Sequence, residues 1–429
     1  MKQKKWKILV LEQGLREKNL KLILKKSRIL GKLYSIPSEP QDDHYQETRH
    51  ITLQNHPQIM QFIKQNNIDI VFPGSGRVFA SGLVELLEKN NITIFPPRAL
   101  SNSLSYSRIA WREILQNYSL PVPNSYIFKN IDGVDTYLEK AQFPLVAKTD
   151  GTYLSKTSIC YTSEQMEAFL TSSMKEKMYG EEGAKIIIEK GLQGPVFTIP
   201  VIMEGYNMMI MPICRHIHSL KETLPFKSAY TSDSVLDKKT RRNIEGVIVV
   251  PLVHALNRQL PGYQGILSID VVISKKITYI VDVKMQWNHL VSPFMFNSLK
   301  SDYLQLIVAL LQGNLGDFQP EWKSQKSLHL IFSMNNLEVS QHARTFMNEN
   351  QEGYYYGEKN CFYSMFPACS RLDKHKKYSV VSIMIGGKKL SEGYELLKNH
   401  WQKANLPQNA FILNNVTTAL DIVQRFEKY

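Results

Sequence analysis

Two hydrophobic periods alternate along the first hundred residues. Trp6-Lys-Ile-Leu-Val-Leu and Ile68-Asp-Ile-Val-Phe-Pro are short apolar runs that end near glycine turns at Gly14 and Gly74, the pattern of strands buried on both faces. The stretch from Gly14 to about Ser27 and that from Val84 to Lys89 have helical spacing, and Ile92-Thr-Ile-Phe95 reads as a third short strand. Strands alternating with helices predict a small, doubly wound α/β unit that receives ligands at the C-terminal ends of its strands.

The pattern then changes. A helix is expected from Ser107-Arg108 to about Gln116. Phe143 to Thr162 reads as a strand, a turn at Asp150-Gly151, a Thr/Tyr/Ser loop and a second strand from Ile159. Ile186-Ile-Ile-Glu189 is a buried-looking strand ending in a carboxylate, and Gly265–Asp270 with Tyr279–Lys284 suggests an antiparallel pair. Ser301 to Gly313 has helical spacing and a glycine stop. Pro320 to about Lys326 reads as a linker, followed by strands near Leu328–Phe332 and Tyr378–Ile385 and a helix over Ser391–Lys403. These shifts divide the 429 residues into 1–120, 121–193, 194–319 and 320–429, a division consistent with a chain too long for one core.

Charge and cysteine usage narrow the function classes. The net charge of +13 is spread over Lys25-Lys26, Lys238-Lys239 with Arg241-Arg242, and Lys374 to Lys377, all punctuated by acids. No aromatic-interleaved basic stripe is present, which argues for a basic surface or small anionic substrates ahead of nucleic acid. No apolar run reaches the roughly 20 residues that span a bilayer, and no signal-peptide apolar segment follows the basic N-terminus. Cys160, Cys214, Cys361 and Cys369 lack CxxC spacing and fit buried thiols in a reducing cytoplasm. No GxGxxG accompanies the first strands, so a dinucleotide cofactor is not expected. Met208, Met209 and Met211 read as strand filler, and Tyr354-Tyr-Tyr356 as an exposed turn ahead of a base-stacking platform.

Lys148 and Lys156 flank the loop of the Phe143–Thr162 hairpin. Two lysines converging across such a loop can neutralise a polyphosphate, and the loop can close over it. A solvated surface hairpin is the competing reading.

Taken in order, Phe95-Pro-Pro-Arg, Ser107-Arg108, the Lys148–Lys156 hairpin, Ile186–Glu189 with Gly191-Leu-Gln-Gly194, Gly265–Asp270 and Tyr279–Lys284 resemble the ATP-grasp superfamily. Within it the resemblance is to the phosphoribosylamine–glycine ligases, over about Lys7 to Leu315. It implies a multidomain α/β and α+β chain: an N-terminal doubly wound domain, an ATP-grasp lid, a central subdomain and a small C-terminal α+β domain. It also implies a soluble cytoplasmic protein, monomeric or weakly dimeric, that uses ATP and Mg²⁺ (or Mn²⁺). Ligases of this superfamily join a carboxylate to an amine through an acyl phosphate, for this family glycine and phosphoribosylamine of purine biosynthesis. By resemblance, Arg108, Lys148 and Lys156 contact phosphates and Glu189 opens the hinge beside adenine. Asp270 and Asp282 hold the metal, and the turn at Gly14 and Arg16 receives the substrate phosphate.

The departures cluster at reactive positions. Glycines flanking the second lysine become Ser155 and Thr157, the second hinge acid becomes Lys190, and a Gly-Glu-Glu becomes Gly194-Pro195-Val196. The metal-binding asparagine becomes Lys284, whose ammonium has no lone pair for Mg²⁺. Glu12 replaces a glycine of the phosphate turn, and Gly74-Ser-Gly-Arg77 stands where a Gly-Pro-Glu turn is expected. Arg215-His216-Ile-His218 stands for Asp-His-Lys, where strand histidines are a commoner explanation than a metal site, and Gln286 and His289 replace an arginine and an aspartate. An ATP-dependent ligase, with the family's substrates or altered ones, is therefore expected. A catalytically impaired paralogue that binds a nucleotide or a partner stays open beside it.

Overall fold

The computed structural model describes residues 4–11, 14–38, 40, 42–74, 78, 81–96, 103–151, 156–217, 226–288, 290–334, 354–356, 362–370, 378–403 and 411–427. Expectations placed on Glu12, Ser75, Gly76, Arg77, Ser155, His218, His289, Cys361 and the Lys374–Lys377 run lie outside them.

The N-terminal unit is a three-stranded sheet of β1 (Trp6–Leu11), β2 (Leu30–Ile36) and β3 (Ile70–Pro73), parallel in the order β2-β1-β3. Alternation along β1 explains why it is covered on both sides. Ile8 and Val10 pack with the helix Leu15–Lys25, while Leu9 and Leu11 pack with Ile59, Ile63 and Leu87 on the other face. The expected third strand at Ile92–Phe95 contributes a single bridge, Val71 to Ile94. The second strand and the helix His56–Asn66 were not anticipated, because their apolar positions are interrupted by charged and polar residues.

The lid sheet comprises β4 (Ser125–Phe128), β5 (Leu145–Thr149), β6 (Thr157–Cys160) and β7 (Ile186–Lys190), antiparallel in the order β4-β7-β5-β6. Gly194, at φ +154, follows it in a place where a Cβ would lie 1.9 Å from the Ile273 carbonyl oxygen, so the chain can enter the next sheet there only through glycine.

The large sheet contains β8 (Val196–Glu204), β9 (Asn207–Ile210), β10 (Cys214–Ile217), β11 (Phe226–Thr231), β12 (Gln264–Ser274) and β13 (Ile277–Lys284). It continues into β14 (Lys326–Met334), β15 (Tyr354–Tyr356), β16 (Phe362–Ser370) and β17 (Tyr378–Gly387). Its order is β13-β12-β8-β10-β11-β14-β17-β16-β15, with β9 on β8. The last hundred residues were expected to form a unit of their own. Instead β14 pairs with β11 over six residues, from Phe226 with Phe332 to Thr231 with Ser327, so central and C-terminal strands share one sheet. Ile217 and Tyr230 accordingly join the core of Leu328, Ile383, Trp401 and Val416. Tyr354–Tyr356 is an edge strand, not the expected turn.

One face of β8, β12 and β13 packs on the helices Arg108–Asn117 and Val250–Gln259 through Ile199, Val201, Leu267, Ile269 and Val283. The opposite face carries the polar residues of the next section. Cys160 and Cys214 are buried thiols, and burial pushes both above the ordinary thiol pKa. No described helix is long and apolar enough to cross a membrane.

His329 on β14 is fully enclosed, its Nδ1 2.7 Å from the Leu290 carbonyl and its Nε2 2.7 Å from Ser382 Oγ. Burial holds its pKa at about 4, against 6.5 for a free imidazole. The unfolded chain therefore takes up this proton first, and the native state loses stability as pH falls from 6.5 to 4. That share is about 3 kcal/mol. Urea unfolding followed across this range should show His329→Gln with a correspondingly flatter pH dependence; an unchanged slope would mean the ring is not enclosed.

Candidate functional site

The lid hairpin forms as its sequence suggests. Lys148 pairs with Thr157 across β5 and β6, and the Thr149 hydroxyl accepts from the Lys156 amide at 2.7 Å. On the other side, Val146 pairs with Glu189 and Lys148 with Ile187. Lys148 and Glu189 are thus diagonal neighbours on one face of the sheet. Their side chains meet at 2.7 Å, both nearly devoid of solvent. Glu189 also binds Arg112, from the helix Arg108–Asn117.

The start of that helix is tied to the end of β5. Ser107 is its N-cap, accepting from the Ala110 amide and donating to the Asp150 carboxylate at 3.0 Å. Asp150 accepts in addition from the Ile109 amide, which suits a carboxylate at a helix N-terminus. Arg108, one residue inside, donates to the Thr149 carbonyl at 3.1 Å and reaches Asp282 at 3.5 Å. The Ser107-Arg108 pair and the Asp150-Gly151 turn are therefore two halves of one clamp.

Lys148 connects the lid to the large sheet by donating to the Val281 carbonyl at 2.6 Å. Beside that carbonyl, Asp282 stands directly opposite Asp270 in the β12–β13 register, and Lys284 stands opposite Ser268. Two carboxylates face to face on adjacent strands repel. Lys284 relieves this, with Nζ 2.9 Å from Asp282 Oδ2 and 3.8 Å from Asp270 Oδ2. Asp270 is held from its other side by the Thr198 hydroxyl, which lies 2.7 Å from His216 Nε2. A hydroxyl that donates to Asp270 must accept from His216, fixing the proton on Nε2.

Electrostatics follow from this packing. Burial works against the Lys148 charge and lowers its pKa, although Glu189 and Asp282 oppose the shift. Asp282 is also desolvated, yet Lys284, Arg108 and Lys148 hold its carboxyl well below the usual range. For Lys284, Asp282 and Asp270 outweigh desolvation and raise the pKa. His216 is kept neutral by burial, opposed by Asp270 and reinforced by Lys284 and Lys227. The Lys227 pKa is lowered by desolvation and then by Lys156 and Lys284, which places exposed Lys156 within electrostatic reach of the cluster.

Six of the eight candidate residues thus belong to one region: Arg108, Lys148, Lys156, Glu189, Asp270 and Asp282. The resemblance implies a divalent metal between the two aspartates, and its fit can be judged from the donors. Lys284 lies between both carboxylates, and no described group of three or more His, Cys, Asp or Glu residues could hold a metal. Oxygen ligands at 2.0–2.6 Å and an ammonium cannot share that space. The residues present do not fit a metal there.

Gly14 and Arg16 lie elsewhere, where the first helix meets the large sheet. Arg16 donates to Glu17, to Gln286 and the Trp287 carbonyl at 3.2 Å, and to the Gly74 carbonyl. The Glu17 carboxylate folds back over Gly14, where a Cβ would lie 2.4 Å from its Oε2. An acid therefore occupies the helix start at which a phosphate would dock. The cavity beside it measures about 30 Å³ and is lined by Leu20, Phe72, Phe95, Trp287 and Tyr303 among others, room for a water molecule.

Arg112 and Thr198 are not singled out by the sequence, and Asp150 reads there only as a turn residue. Arg112 alone left a signal, since its position four residues after Arg108 places both on one helix face.

Comparison with known proteins agrees with the fold. Residues 107–289 match the family model "Phosphoribosylglycinamide synthetase, ATP-grasp (A) domain", and residues 6–104 match the N-domain model of the same synthetase. The phosphoribosylamine–glycine ligase of Caldanaerobacter subterraneus subsp. tengcongensis is 25% identical over 332 residues, 76% of this chain and 79% of that protein. The crystal structure of the Thermotoga maritima phosphoribosylamine–glycine ligase superposes with a TM-score of 0.63 at 14% identity, covering 91% of this chain and 94% of its own. Biotin carboxylase from Campylobacter jejuni, solved as an ATP complex, gives 0.62 at 14% identity, covering 92% and 91%. The fold is that of the ATP-grasp superfamily. Within that superfamily, the chain is a divergent relative of phosphoribosylamine–glycine ligase.

Glu189 is the only acid in direct contact with Lys148 and Arg112 among the described ion pairs. Glu189→Ala would leave two buried cations without it, at a cost of about 3–5 kcal/mol. Chemical denaturation of the variant should show this loss; a change below about 1 kcal/mol would mean that the triad is solvated.

Proposed function

We propose that this protein is an ATP-dependent ligase that joins a carboxylate to an amine, with substrates other than phosphoribosylamine and glycine. One observation carries the nucleotide half of this reading: Lys148 from the lid and Asp282 from the large sheet converge on the same buried place, with Arg108 reaching both sides. A triphosphate entering there would meet Lys148, Arg108 and Lys284, with Lys156 and Lys227 at the rim. Glu189 would act through Lys148, since its carboxylate is wholly engaged, and the adjoining end of β7 would lie beside the adenine.

The reaction class asks little covalent chemistry of the protein. A substrate carboxylate attacks the γ-phosphorus, ADP leaves, and the amine displaces phosphate from the acyl phosphate. The chain contributes positioning and cations aimed at the developing charge. The altered amine substrate rests on the Gly14–Arg16 region, where Glu17 and aromatic side chains occupy the space a ribose phosphate would need. The same filling, together with the neutralised acids, supports a second reading, a paralogue that binds the nucleotide without turnover.

Lys156 is exposed, so its removal tests binding without disturbing the core. Calorimetric titration with ATP should show Lys156→Ala weakened about tenfold, the loss of one charge-assisted contact; equal affinity would exclude this lysine. Supplied with ATP, glycine and phosphoribosylamine, the wild-type protein should release no more phosphate than with ATP alone. Ligation of that pair would contradict the altered-substrate reading, while phosphate release with other acid and amine pairs would separate the ligase from the inactive paralogue.

A further inference from the structure

We infer that the Asp270–Asp282 pair carries its own cation: the Lys284 ammonium stands where a metal would bridge the two carboxylates, so the site takes a nucleoside triphosphate as the free anion rather than as its metal complex. The inference rests on the nucleotide-binding reading above and deepens it.

Three features converge. The first is position. Asp270 and Asp282 are directly opposed across β12 and β13, and the Lys284 side chain reaches back diagonally to the Oδ2 atom of each. The second is charge compensation. The remaining Asp270 oxygen accepts from Thr198, and Asp282 also faces Arg108 at 3.5 Å. Neither carboxylate is left as an uncompensated anion to attract a divalent ion. The third is charge density. Arg108, Lys148 and Lys284 already act on Asp282, and Lys284 on Asp270 as well, and a further double charge a few ångströms away would be repelled.

Lys284 also retains a way out. Its side chain is 23% exposed, so the lysine is paired with the carboxylates and still within reach of solvent. A lysine ammonium has three donors and no acceptor. It can keep Asp282 and still donate to a phosphate oxygen, the role a metal fulfils by sharing oxygens between protein and nucleotide. Metal ions in solution would then compete with the protein for the free triphosphate, so added Mg²⁺ should weaken apparent binding.

The test is calorimetric titration of the full chain with ATP, once in excess EDTA and once in excess Mg²⁺. The wild-type protein is expected to bind at least as tightly in EDTA, with the apparent Kd rising about threefold or more in Mg²⁺. Lys284→Asn should lose about tenfold in EDTA and recover in Mg²⁺, whereas Lys284→Arg should keep the wild-type order. Mn²⁺ binding, followed by electron paramagnetic resonance in the presence of ATP, should appear beyond the ATP-only control in Lys284→Asn and not in the wild type. Wild-type binding about tenfold tighter with Mg²⁺ than in EDTA, or protein-bound Mn²⁺ in the wild type, would overturn the inference while leaving the nucleotide site intact. Absence of ATP binding in both buffers would remove the nucleotide reading and this inference with it.

Discussion

The joint between the lid sheet and the large sheet depends on the Lys148 side chain. It leaves one sheet, contacts Glu189 beneath it at 2.7 Å, and ends on the Val281 carbonyl of another sheet at 2.6 Å. A buried ammonium is unfavourable unless it is paired and hydrogen-bonded, and here two structural units supply the partners. The same contact that satisfies Lys148 therefore holds the lid sheet against β13. Arg108, bound to Thr149 and reaching Asp282, repeats the connection one layer away.

Around this joint Arg108, Lys148 and Lys284 face Asp282, Glu189 and Asp270. A lysine lies between Asp270 and Asp282. The hinge strand keeps Glu189 and follows it with Lys190, exposed at the strand end. At the first helix, Glu17 folds back over Gly14 and Arg16 is drawn into contacts within the protein. The strands that present these residues are fixed by apolar neighbours on the opposite face, such as Ile269 and Val283. Fold and chemistry can separate in this way because they use alternate residues of the same strands.

Much of this was legible in the sequence. The Lys148 hairpin, the β12–β13 pair and the helices starting at Arg108 and near Ser301 announce themselves by period and by turn residues. The order of Lys148, Glu189, Asp270 and Asp282 was enough to suggest one site. What the sequence concealed depended on partners far along the chain. Arg112 meets Glu189 across 77 positions and Thr198 meets Asp270 across 72, and no local pattern encodes either. The union of the C-terminal strands with the large sheet was hidden for a related reason. A strand pairing between Phe226–Thr231 and Ser327–Phe332 leaves no trace in either segment, since each reads as a strand whatever its neighbour. Arg16 was misleading in another sense, because a guanidinium near a glycine turn looks the same whether it awaits a phosphate or binds carbonyls.

The central claim is that lid and large sheet enclose a nucleoside triphosphate at the Lys148–Lys284 cluster. A crystal structure of the full chain with a non-hydrolysable ATP analogue, grown without divalent metal, tests it most directly. The account predicts the triphosphate between β5 and β13, with Lys284 donating to it and the adenine beside the end of β7. Nucleotide bound elsewhere, or an unaltered cluster with no nucleotide after co-crystallisation at saturating concentration, would contradict it.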